Sequence, residues 1–264
     1  MVMGVLNVTP DSFSDGGRFL RTDDAIRHGH ELVAQGADVV DVGGESSRPG
    51  SEAVGEDEEL RRVVPVVEAL APHVRVSVDT VKPAVATAAV GAGATLVNDV
   101  SGKLWPVAAE LGVGWVAMHI QGTPRDMQRN PHYDDVVAEV HGHVLGLAET
   151  ASAAGITEIW VDPGIGFGKT PDHNLSLLRH VGELVAAAGQ AGHKVLIGTS
   201  RKSFLGRFGA DPDRPDGLVP VEDRLEASLA TSAWAICHGA GMVRVHDVEP
   251  TVQAAGMVPA RVRR

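Results

Sequence analysis

Lys194–Gly206 reads KVLIGTSRKSFLG: an apolar run of strand length at Val195–Ile197, a corner at Gly198–Ser200, and a basic, helix-like start at Arg201–Lys202–Ser203 ahead of Phe204–Leu205. A strand that runs into a helix leaves backbone N–H groups unpaired and a partial positive charge at the junction, and Arg201 and Lys202 add to it, so an anion is welcome there. A solvated connection whose charges only keep the surface soluble fits this segment equally well. What recurs along the chain is its unit, an apolar strand that stops at a polar corner and is followed by a helix.

Eight short β-branched runs read as strands: Met3–Leu6, Val39–Val42, Val74–Val78, Thr95–Val97, Trp115–Met118, Glu158–Val161, Val195–Ile197 and Met242–Val245. Helical patterns separate them at Asp23–Ala34, Glu56–Leu70, Pro83–Val90, Trp105–Leu111, Tyr133–Ala153, Asp172–Ala188 and Glu222–His238, with a last one after Asp247 that Gly256 and Pro259 should interrupt. The strands are nearly continuous in apolar character, as expected when both faces of a parallel sheet are buried. Eight such units in 264 residues predict one α/β domain over 1–264, a single (β/α)8 TIM barrel with parallel strands. An open doubly wound sheet is the alternative.

With 23 basic against 34 acidic residues the net charge is −11, which argues against a general nucleic-acid or anionic-membrane surface. The one cysteine, Cys237, lies in an apolar segment and reads as a small core residue, with neither a disulfide framework nor a thiolate metal site. MVMGVLNV is too short for a signal sequence and no apolar run reaches membrane-spanning length, so a cytoplasmic protein is expected.

The strand ends carry the chemistry. Asn7 follows the first strand, Asp41 and Glu45 mark the second, and Asp79 the third; Asn98 and Asp99 end the fourth, His119 the fifth and Asp162 the sixth. Ser200–Arg201–Lys202 follow the seventh, and Arg244 with His246 the eighth. In a barrel these converge on one rim, and polar groups beside buried strands are costly unless paired or solvated, so they describe a site. Asp99, Ser101 and Asp172 read instead as helix caps, whereas Asp79, Asn98 and Asp162 read as site residues. Gly164–Thr170 has three residues between Gly164 and Gly168 where a P-loop needs four, so its glycines are read as letting the backbone approach a flat ligand, with Phe167 as an aromatic wall. His28 with His30, and His141 with His143, lie two apart on helical segments and read as surface residues rather than metal ligands.

MGVLNVTPDSFSDGG (Met3–Gly17), DVGGESSRPG (Asp41–Gly50), SVDT (Ser77–Thr80), NDVSG (Asn98–Gly102), MHIQGTP (Met118–Pro124), DPGIGFGK (Asp162–Lys169), GTSRKSFLG (Gly198–Gly206) and RVHDV (Arg244–Val248) together closely resemble bacterial dihydropteroate synthase. The resemblance implies an enzyme of folate synthesis in which p-aminobenzoate displaces pyrophosphate from the hydroxymethyl carbon of dihydropterin pyrophosphate, with Mg2+ assisting. It implies pterin contacts from Asp79, Asn98, Met118, Asp162, Phe167, Lys202 and Arg244. Pyrophosphate would be met by Asn7, Arg48, Arg244 and His246, with Mg2+ held through Asn7. For p-aminobenzoate the matching positions are Ser47, Pro49, Phe167, Lys202 and Ser203.

By the same resemblance the displacement is dissociative, with loops Thr9–Arg18 and Glu45–Gly55 closing over the anion. Arg48 and Asp15 would act on the charges that develop, alongside Lys202, Arg244 and His246. A homodimer is implied through the last helices. A non-catalytic pterin-binding relative and the pterin-binding domain of a corrinoid methyltransferase stand as alternatives; the Asp-Ser-Phe-Ser-Asp, Ser-Ser-Arg-Pro-Gly and Ser-Arg-Lys-Ser stretches favour the synthase.

Overall fold

In the computed structural model, which describes residues 1–9, 18–46, 53–207 and 217–258, eight parallel strands close into a barrel in the order of the sequence. The strands are β1 (Val2–Asn7), β2 (Val39–Gly43), β3 (Arg75–Asp79), β4 (Leu96–Asp99), β5 (Gly114–Met118), β6 (Ile159–Asp162), β7 (Lys194–Ile197) and β8 (Met242–Val245). β8 returns to pair with β1, Met3 lying opposite Arg244. Outside lie α1 (Arg18–Ala34), α2 (Glu56–Leu70), α3 (Pro83–Gly91), α4 (Trp105–Leu111), α5 (Val136–Ala153), α6 (Pro171–Arg179), α7 (Val181–Gln190), α8 (Ser203–Gly206), α9 (Leu225–Cys237) and α10 (Val248–Met257). All eight expected strands are present, and the barrel is the expected one.

Strand side chains alternate, and the two faces differ. The outward set, including Val40, Val42, Val76, Val78, Val97, Ala117, Val161 and Ile197, joins the helices in one large core. The inward set forms a separate plug of Met3, Val39, Leu96, Val116, Trp160, Leu196 and Met242. This plug fills the barrel, so whatever stands one layer above it faces a closed floor.

The helices differ from expectation in several places. The run expected over Asp172–Ala188 is two helices broken at His180, whose Nδ1 lies 2.8 Å from the Ser176 carbonyl oxygen. The caps are not Asp99, Ser101 or Asp172. Thr170 caps α6, accepting from the His173 amide, and Asp135 caps α5, accepting from Val137 and Ala138. A short 3-10 turn, Val221–Asp223, precedes α9, and α10 continues through Gly256 to Met257. Cys237 is exposed near the end of α9 rather than buried in the core. Among the described residues no helix is long and apolar enough to cross a membrane.

Candidate active site

A side chain two residues beyond each plug residue points into the same interior, one layer nearer the strand ends. Starting from Val39, Leu96, Val116, Trp160, Leu196 and Met242, this step reaches Asp41, Asn98, Met118, Asp162, Gly198 and Arg244; on β3 it leads from Ser77 to Asp79. The pocket found there is lined by Asp79, Asn98, Met118, Asp162, Phe167, Lys202, Arg244 and His246, among others. The residues expected to meet a pterin therefore share one pocket on one rim.

Arg244 is its electrostatic centre. Nε donates to Asp41 Oδ2 at 2.6 Å and Nη2 to Asp79 Oδ2 at 2.7 Å, while Asn98 Nδ2 donates to the same Asp41 oxygen at 2.9 Å. Asp41 is fully buried and its Oδ1 has no partner among the described residues. Burial pushes the Asp79 carboxyl up to about 7 against the pull of Arg244, with Asp41 adding to the rise.

On the opposite wall, Asp162 Oδ1 accepts from the Gly164 amide at 2.7 Å, and burial raises its carboxyl while Lys202 opposes the rise. The Lys202 ammonium donates to the Ile165 carbonyl and stands 4.7 Å over the Phe167 ring; burial lowers it to about 8. Lys169, which the sequence did not single out, is 2 % exposed. Its Nζ donates to the carbonyls of Gly164 (2.9 Å) and Phe167 (3.0 Å) and lies 2.9 Å from His119 Nδ1, a knot that ties the loop carrying Asp162 and Phe167 to the loop after β5. Burial lowers Lys169 to about 7 and His119 to about 3.

Two of the three glycines of this loop pack against the loop after β5, while Gly166 lies against the Lys202 side chain at the pocket. A Cβ on Gly164 would sit 1.8 Å from the His119 carbonyl oxygen, and one on Gly168 would sit 2.4 Å from that of Gln121, both at positive φ. His143 is exposed, as read from the sequence, and its ring meets His119 edge-on at 5.0 Å; His141 is half-buried rather than exposed.

At the seventh corner only one of the two cations turns inward. Arg201, at φ 60, forms a bidentate pair with Asp247 at 3.0 and 2.5 Å, so it does not add to an anion site with Lys202. Ser203 is exposed at the first position of the one-turn α8. His246 lines the pocket, its Nδ1 3.1 Å from Ser200 Oγ, and Asn7 stands half-buried at the end of β1. Asp15, Ser47, Arg48 and Pro49 lie outside the described residues.

The inner pocket holds only ≈ 50 Å³, but Asp79, Val100 and Met118 also line an adjoining cavity of ≈ 470 Å³, within the range of about 300–1,000 Å³ of small-molecule sites. That cavity runs past Thr80, Val81, Ile120 and Pro124 to Glu45 and the fully buried Glu59. Both of these carboxylates pair with Lys82, and Glu59 also accepts from Thr80 Oγ1 at 2.7 Å.

A model of the pterin binding enzyme family matches residues 3–246. The dihydropteroate synthase of Mycobacterium leprae is 48% identical over 269 residues, covering 98% of this chain and 92% of its own length. A crystal structure of the Yersinia pestis dihydropteroate synthase in complex with a sulfonamide drug superposes with a TM-score of 0.85 at 43% identity, covering 97% of this chain and 92% of that one. The Xanthomonas albilineans dihydropteroate synthase with 4-aminobenzoic acid gives 0.85 at 44% identity, covering 97% and 90%. With the strand-end layer, the inner pocket and these full-length likenesses together, the chain belongs to the pterin binding enzymes, and within them to the dihydropteroate synthases, transferases of folate biosynthesis.

Proposed function

We propose that this chain joins 6-hydroxymethyl-7,8-dihydropterin pyrophosphate to p-aminobenzoate by dissociative displacement, with the pterin held in the inner pocket. The C–O bond from the hydroxymethyl carbon to pyrophosphate breaks first, the electron pair leaving with the anion. The aniline nitrogen then forms the C–N bond and loses a proton. The observation that carries this reading is the union of Asp79, Asn98, Asp162, Lys202 and Arg244 in one pocket. Carboxylates and an amide accept from the N–H edge of an aminopterin, and the two cations balance the charge that builds up as pyrophosphate departs. Phe167, beside Lys202, gives the aminobenzoate ring a wall, and the exposed hydroxyl of Ser203 is offered to its carboxylate.

Asn7 supplies one hard amide oxygen near the rim, and the described residues hold no cluster of three or more His, Cys, Asp or Glu suited to caging a metal. That donor set fits Mg2+ carried in by pyrophosphate, which keeps most of its shell as water and phosphate oxygens. Bound there, Mg2+ would neutralise charge on the leaving group. A cytoplasmic homodimer completes the proposal.

The test is pyrophosphate release with both substrates and Mg2+. Turnover that needs both substrates supports the synthase; pterin binding without turnover would leave a binding protein. Labelled p-aminobenzoate should bind well only with pyrophosphate and Mg2+ present, the coupling that the family resemblance implies.

A further inference from the structure

We infer that Asp41, which lines no part of the pocket, is a positioning residue that fixes Asn98 as a hydrogen-bond acceptor toward the ligand and Arg244 in the plane that reaches Asp79. The inference rests on the reading of the inner pocket as the pterin site. Asp41 stands opposite Ser77 in the β2–β3 register, one layer beneath the pair Gly43 and Asp79. Gly43 brings no side chain to that upper layer. The Asp41 carboxylate therefore reaches Asn98 and Arg244 from below, on strands that adjoin neither β2 nor each other.

The consequence for Asn98 is chemical. A carboxylate paired with a guanidinium accepts and does not donate, so the Asn98 amide must turn its NH2 toward Asp41 and cannot flip without setting carbonyl against carboxylate. Its Oδ1 is left for the pocket, where Asn98 is a lining residue. Together with Asp79 and Asp162 this gives a pocket wall of acceptors, which selects ligands that present N–H groups. For Arg244, one bond to Asp41 and one to Asp79 fix the guanidinium plane, while two carboxylates around one cation reduce what it can offer to a second anion.

The test compares two ligands on the same variants, with 6-hydroxymethylpterin and Mg2+–pyrophosphate titrated separately by calorimetry. Asp41→Ala removes the acceptor of both groups, so pterin affinity should fall by about tenfold or more. Pyrophosphate affinity should hold or rise, because Arg244 keeps its charge and loses one competing carboxylate. Asp41→Asn, which retains an acceptor oxygen for Asn98, should recover part of the pterin affinity. In an Asn98→Ala background the loss from Asp41→Ala should shrink, as expected for residues acting through one another.

Unchanged pterin affinity in folded Asp41→Ala would overturn the inference, as would equal loss of both ligands, or a loss that is undiminished in the Asn98→Ala background. If Asp41→Ala does not fold, Asp41→Asn carries the test through a smaller pterin loss with pyrophosphate retained; if neither variant folds, Asp41 is structural and the inference fails. Wild-type protein that binds no pterin would instead refute the proposed function.

Discussion

Arg75 at the floor of the barrel and Arg244 at its rim are guanidinium groups inside the same sheet, and they are held in opposite ways. Arg75 meets one anion, Nη1 and Nη2 donating to the two oxygens of Glu158 at 2.9 and 2.6 Å, with Nε donating to Thr95 Oγ1 at 3.1 Å. Glu158 also accepts from Trp160 Nε1 at 2.9 Å, and hydrogen bonds led by Arg75 hold its carboxyl below the ordinary range. Arg244 is instead shared between Asp41 and Asp79, one Asp41 oxygen is without a partner among the described residues, and Asp79 is pushed up rather than down. A matched pair such as the floor's closes a barrel, whereas unmatched buried charge is the state a polar ligand can relieve.

The sharpest way to break this contrast is to remove each arginine in turn. Arg244→Ala strips the cation from two carboxylates and, on the proposed mechanism, from the departing anion, and turnover should fall by about 10²-fold or more. Arg75→Ala should lose about 1–3 kcal/mol of stability in denaturant melts while the folded enzyme keeps its kcat/KM. Comparable catalytic loss in both would mean that the floor and rim are not separate devices.

Next in size is Asp162→Asn, which keeps the shape but turns an acceptor into a donor. Pterin should bind about 1–3 kcal/mol more weakly by calorimetry, and unchanged affinity would remove Asp162 from the ligand's N–H edge.

The third test uses pH, since the two networks titrate in different ranges. Asp79 in the folded chain titrates near 7, above its ordinary unfolded value of about 3.9. Its contribution to stability is therefore fully present below about pH 4 and is lost as pH rises through 7. Glu158 is depressed, so its contribution is present above about pH 4.3 and is lost only as acid protonates it. Thermal melts between pH 4.5 and 7 should thus lose part of their downward slope in Asp79→Asn and keep it in Glu158→Gln. The reverse pattern would invert the assignment.

The smallest effect marks the scale for residues in neither network. Asp135 caps α5 with two side-chain bonds, and Asp135→Ala should cost about 1 kcal/mol in a melt with no change in either ligand's affinity. A change in pterin binding from this variant would show that the rim responds to remote loosening.

Much of this was legible in the chain. Strands such as Val39–Gly43 are buried on both faces because one side packs on the helices and the other faces the barrel interior, and that nearly continuous apolar run survives in a single sequence. Asp79, Asn98 and Asp162 stood out because a charged or amide side chain ends each apolar run. Asp41 was harder to weigh, lying inside its strand, yet counting two residues on from the plug position Val39 would have placed its side chain inside the barrel. Lys169 gave no signal: its partners are His119 and two carbonyls of its own loop, and nothing in the string GFGK tells that the ammonium folds back. Arg201 beside Lys202 misled for the same reason, since the bond to Asp247 that turns it away joins residues 46 apart.

By itself, then, the sequence determined the repeating strand-and-helix unit, its eightfold count and the set of polar groups at the strand ends, because local periodicity and burial pattern are properties of neighbouring residues. Only the tertiary structure decided which of those groups neutralise one another and which stay unmatched. Asp41, Asn98 and Arg244 meet because eight strands close into a ring, so that side chains 57 and 203 residues apart share one low-dielectric interior where the choice of partner sets charge, orientation and affinity.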